Sequence, residues 1–139
     1  MRAEGTEMSQ HEPEASGLAV GGAMFAGVLM VIVGFFEMIA GLAAISNDEI
    51  FVKTENYLFN FDVTTWGWIH LILGVVVAAA GLAVIAGRIW GGLVAIALAT
   101  LVAVANFFWI PYYPFWSILT IALAVWVIWA LTRPGVYRQ

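Results

Sequence analysis

Apolar residues fill this chain in four long blocks, and polar residues are pushed to the gaps between them. The blocks cover about residues 18–45, 66–86, 89–110 and 115–131, and a stretch of about 20 apolar residues is what a helix needs to cross a bilayer. None alternates with the period of a half-buried strand, so each reads as a helix. The pattern predicts an all-α membrane protein, a four-transmembrane-helix bundle occupying residues 18–133. An acidic, solvated tail over residues 1–17 precedes it, and a short tail over residues 134–139 follows.

The gaps differ in kind. Between the second and third blocks stands only Gly87-Arg88, where a glycine suits the left-handed position that ends a helix and a tight hairpin follows. Between the third and fourth stands Pro111-Tyr112-Tyr113-Pro114, whose prolines stop a helix and whose tyrosines suit the headgroup layer. The first gap, residues 46–65, is long. Ile50-Phe51-Val52-Lys53 and Tyr57-Leu58-Phe59-Asn60-Phe61 are β-prone runs flanking Thr54-Glu55-Asn56, which predicts a short β-hairpin-like extracytoplasmic loop. Asp62, Thr64 and Thr65 are placed to cap the helix that follows.

Charge sets the orientation, because Lys and Arg are retained on the cytoplasmic side. Arg2, Arg88, Arg133 and Arg138 share one side and Lys53 is alone on the other. Both termini are therefore expected in the cytoplasm. Tryptophan placement agrees: Trp66, Trp68, Trp109 and Trp116 fall near the outer boundary, Trp90 and Trp129 at the inner one, as interface anchors. The acidic start, with Glu4, Glu7, Glu12 and Glu14 against Arg2, lacks the basic opening of a signal peptide. The first block is thus expected to be a retained span.

Glycine recurs every seven residues at Gly27, Gly34 and Gly41, and again at Gly67, Gly74 and Gly81. Seven residues make nearly two helical turns, drifting about 20°, so each set forms a flat stripe. In lipid, where helices gain no hydrophobic attraction for one another, close backbone contact is a main source of adhesion. The stripes predict antiparallel packing of the first two spans, or a homo-oligomer.

Besides hydroxyl side chains, one acid, one histidine and one amide stand inside the apolar blocks: Glu37, His70 and Asn106. An ionisable group at membrane depth is expensive and faces a bundle interior or a cavity. Counting 1.5 Å per residue from the block ends sets Glu37 about 12 Å below the outer boundary and His70 and Asn106 about 6 Å below it. Side chains lean toward their helix N-terminus, so His70 leans outward while Glu37 and Asn106 lean inward. That reading separates Glu37 from His70 and makes Asn106 the expected bridge, with Ser117 and Thr120 closing the cluster.

Composition narrows the chemistry. The chain is 63% hydrophobic with a mean hydropathy of +0.97, and its 139 residues leave no room for a soluble catalytic domain. Cysteine is absent, which removes thiol nucleophiles, thiolate metal sites and disulfides. A net charge of -4 argues against nucleic acid as a partner. Asp48, Glu49, Glu55 and Asp62 lack the loop spacing of a calcium site. His70 is the sole membrane histidine, so one chain cannot ligate a haem through two histidines. No catalytic residue, cofactor or metal is expected. The sequence points to a non-enzymatic bundle acting through helix contacts, with the bilayer and a homo-oligomer or larger membrane assembly as partners. The alternatives are a proton or small-solute pathway through Glu37, Asn106 and His70, or a quinone or lipid held among the outer tryptophans.

The segment Phe61-Asp62-Val63-Thr64-Thr65-Trp66-Gly67-Trp68-Ile69-His70-Leu71-Ile72-Leu73-Gly74, with Tyr113-Pro114-Phe115-Trp116-Ser117, resembles an uncharacterised family of small actinobacterial membrane proteins, a domain of unknown function. The resemblance covers nearly everything after Gly17. It implies four spans and plasma-membrane residence, and brings no site residues. DoxX-like four-helix proteins are similar in topology, which implies nothing about activity.

Overall fold

The computed structural model describes residues 16–46 and 63–137. Four helices follow in order: α1 Gly17–Ser46, α2 Val63–Ile85, α3 Ile89–Trp109 and α4 Pro114–Leu131. All four are long and apolar enough to cross a membrane. At 1.5 Å per residue α4 reaches about 27 Å and α1 about 45 Å, so α1 exceeds the hydrocarbon core and must tilt or protrude.

The described structure is all-helical, with four helices and no β-strand among the described residues. The β-hairpin-like loop therefore leaves the fold class. Its two β-prone runs lie outside the described residues, and two strands without a third are marginal in any case. The expected gap over residues 46–65 also shrinks. Ser46 is still helical, closing its hydroxyl onto the Leu42 carbonyl at 2.8 Å, and Thr64 and Thr65 lie in the first turn of α2 rather than before it.

Each helix packs against its chain neighbours, and α1 closes the ring against α4; α1 barely meets α3 and α2 does not meet α4. The α1–α2 contact is the most extensive, and its cause is the pair of glycine stripes. Gly27 lies against Gly81 and Ile85, Gly34 against Gly74 and Ala78, and Gly41 against Gly67 and Leu71. A Cβ at Gly34 would sit 2.6 Å from both the Ala78 nitrogen and the Gly74 oxygen. No side chain fits there, so the two backbones touch directly, as close packing in lipid requires.

The α2–α3 turn follows from one residue. Gly87 adopts φ 71°, Arg88 N–H donates to the Ala83 carbonyl at 2.8 Å and Gly87 N–H to that of Val84 at 2.9 Å. This is the paired 6→1 and 5→2 bonding that ends a helix at a left-handed glycine. At the opposite end Pro114 opens α4 at its first turn, where its missing N–H costs nothing.

Near Gly87 all four helices converge on small side chains. Ala19, Ala80 and Ala130 are fully buried, Gly22 faces Ala130 and Trp126, and Gly91 faces Ala80 and Ala83. Beyond α4 the chain turns back at Gly135, φ 83°. Val136 and Tyr137 then pack on this core, with the Tyr137 hydroxyl set against Gly92. Away from Gly87 the helices cease to meet across the bundle, and a cavity of about 450 Å³ opens among them.

Candidate functional site

That cavity takes residues from every helix: Leu29 and Val33 of α1, Leu73 of α2, Leu98 of α3 and Leu123 of α4 are representative. Its floor is the buried group of Ala26, Met30, Ala95 and Val127. Phe25, Leu29, Val33 and Glu37 repeat every four residues, so they form one stripe along α1 facing it. The stripe ends in the carboxylate.

Glu37 Oε2 and His70 Nδ1 are hydrogen-bonded to each other across α1 and α2. Both side chains are part-buried, His70 at 25% and Glu37 at 38% exposure, and both line the cavity. Trp66, one turn before His70, stacks on the imidazole with centroids 3.6 Å apart and planes at 29°. One ring nitrogen is thus committed to Glu37 and one ring face to Trp66. Nε2 is the remaining functional atom of the imidazole. Among the described residues no other ionisable residue lines the cavity; Thr120 does, with its hydroxyl returned to the Trp116 carbonyl at 2.9 Å.

The direct pair corrects the expectation that Glu37 and His70 stand apart. Hydropathy edges of the blocks do not give the register of the helices, which is set by their glycines. Opposing Gly34 with Gly74 and Gly41 with Gly67 sets Glu37 level with Leu71, one residue from His70. Asn106 is not the bridge: its Nδ2 donates to the Val102 carbonyl of its own helix at 2.9 Å. Thr100 likewise closes on the Ile96 carbonyl at 2.8 Å. In lipid such local bonds satisfy a polar group without a neighbouring helix. Ser117 is buried at the start of α4 and does not line the cavity.

The tryptophans separate by role. Trp68, Trp90, Trp109 and Trp116 are exposed, Trp109 packs against Tyr112 and Tyr113 at the α3–α4 turn, and Arg133 lies 4.5 Å over the Trp129 ring. Trp66 alone belongs to the site. Its i, i+4 spacing to His70 is the signal by which sequence could have found it. The cavity itself has no such signal, since its lining is the same apolar text found on the lipid face.

Four lipid-length helices, polar side chains closed on local backbone and one ionisable pair held inside the bundle define a multi-pass membrane protein. The chain belongs to the family described as Domain of unknown function (DUF7144), whose family model matches residues 22–136. No curated protein matches the chain. No solved structure matches it either.

Proposed function

We propose that this is a non-enzymatic, multi-pass plasma-membrane protein that holds a lipophilic molecule in its intramembrane cavity, with the Glu37–His70 pair gripping the ligand's polar end. One observation carries the reading: among the described residues the only ionisable groups facing the cavity are joined to each other, in a lining that is otherwise apolar except for Thr120. Magnitudes favour a functional role. Placing a charged side chain at the centre of a membrane helix costs about 3 kcal/mol on insertion scales, while polar contacts between membrane helices return about 0.6 kcal/mol on average. Structure alone does not repay the pair. About 450 Å³ falls in the size range of small-molecule sites.

The distribution of arginines supports cytoplasmic termini, which puts the pair in the outer half of the bilayer. A proton pathway is the weaker reading, because among the described residues no ionisable lining residue continues a route past the pair. A second reading, an accessory subunit of a larger assembly, is supported by the exposed aromatics Phe107, Phe108, Phe115 and Trp116 around the α3–α4 turn. The homo-oligomer loses its main motif, since both glycine stripes are consumed within the chain.

Extraction in a mild detergent followed by mass spectrometry of the bound organic fraction tests the proposal. One enriched apolar species in the wild type, depleted from His70→Ala, is the expected result. If both proteins carry the bulk lipid mixture, ligand binding is refuted. Crosslinking in intact membranes tests the second reading, which requires a partner in fixed ratio.

A further inference from the structure

We infer that the ligand is electrically neutral, with a carbonyl or hydroxyl oxygen as its head on a single apolar body, and that anionic lipids are excluded from the site. This rests on the cavity reading above and names its chemical class.

Charge complementarity argues it. Among the described residues, His70 is the one lining side chain able to carry a positive charge, it is already matched by Glu37, and no Lys or Arg joins it. Whether the proton sits on the carboxyl or the imidazole, the pair sums to zero charge. Nothing among these residues is left over to neutralise a phosphate or carboxylate, whose charge an apolar lining does not stabilise.

The hydrogen-bonding character of the pair narrows the head further. With Nδ1 committed to Glu37, a pair of zero net charge holds two protons, one between the carboxyl and Nδ1 and the other on Nε2, so Nε2 donates. Its partner is an oxygen that accepts, the carbonyl of a ketone or the lone pair of a hydroxyl. Leu29, Val33, Leu98 and Leu123 wall the space and Met30 lies at its base, an apolar lining for the body of the ligand.

Four photoreactive, clickable probes with one shared alkyl body and a ketone, alcohol, carboxylic acid or phosphocholine head decide the matter in reconstituted vesicles. The ketone and alcohol should label cavity residues saturably, and His70→Ala should cut that labelling about tenfold, the worth of one hydrogen bond at the upper end of its range. Ala99→Phe fills the cavity, leaves the pair in place and should abolish the same labelling while the protein's thermal transition persists. Strongest labelling by the acid or phosphocholine probe, still dependent on His70, overturns the neutral-head assignment and leaves cavity binding standing. Equal labelling by all four probes, unaffected by either substitution, overturns both. Disulfide-linked dimers through Leu98→Cys would put a second copy in the cleft and likewise overturn both.

Discussion

The end of the bundle near Gly87 and the end near Pro111 are built from the same apolar alphabet and behave oppositely. Around Gly87 the facing residues are Gly22, Ala26, Ala80, Ala83, Gly91 and Ala130, and four helices close on one another. Around Pro111 the large side chains Phe107, Phe108, Phe115 and Trp116 turn outward, all more than 60% exposed, and the cleft lies between the α1–α2 pair and the α3–α4 pair. Only the glycine seam continues through both ends. Residue size, rather than hydrophobicity, separates the two regions: in lipid every apolar side chain is equally well solvated, so close approach is the decisive variable. The wedge left between the pairs is the cavity, and the Glu37–His70 pair sits where the seam passes beside it.

The largest effect should come from breaking the seam that both ends share. Gly34→Leu forces a side chain onto the backbone of Gly74 and Ala78, which cannot yield, and should cost more than about 4 kcal/mol, enough to prevent a cooperative transition in detergent. A folded, wild-type-like variant would mean that the backbones do not touch.

The contrast between ends is sharpened next by one substitution made twice. Ala80→Phe at the closed end has no space and should cost about 3 kcal/mol by overpacking. Ala99→Phe, entering the cavity, should cost less than about 1 kcal/mol. Equal losses in thermal denaturation would erase the distinction.

Tyr137 gives a smaller and opposite effect. Its hydroxyl is buried without a hydrogen-bond partner among the described residues, so Tyr137→Phe should stabilise the protein by about 1 kcal/mol. Burial also raises its pKa above the ordinary 10.0. The folded state thus keeps the phenol proton longer than the unfolded chain, so stability is intact below pH 10 and falls as pH climbs through the raised value. Wild type should lose more stability than Tyr137→Phe above that pH, as read by chemical denaturation; parallel curves would deny the tail its buried seat.

Smallest should be the stability change from Glu37→Gln, about 0.6 kcal/mol, the average for a polar contact between membrane helices. Its ligand-bound fraction should fall far more. A variant that loses stability and ligand together, by several kcal/mol, would return the pair to a purely structural role.

The α1–α2 register and the place of the pair show how far reading residues can go. Four spans, the Gly87 turn and the glycine seam were legible because each depends on local properties: hydropathy over a helix length, one left-handed backbone position, and a stripe whose partner is another stripe. Asn106 was misjudged because a polar side chain in lipid can satisfy itself on the carbonyl four residues back, and sequence does not say which it chooses.

Sequence by itself settled how many times this chain can cross a bilayer and marked the glycine stripes as a packing seam, within the chain or between copies, since those outcomes rest on composition and spacing along single helices. Only the tertiary structure decided that the two stripes meet each other, that Glu37 meets His70, that Tyr137 folds back beneath Gly92, and that a cavity remains between the helix pairs. Each depends on axial register and on which faces of different helices come together. A shift of one residue is only about 1.5 Å along the axis and about 100° around it, too fine a distinction for hydropathy edges to carry.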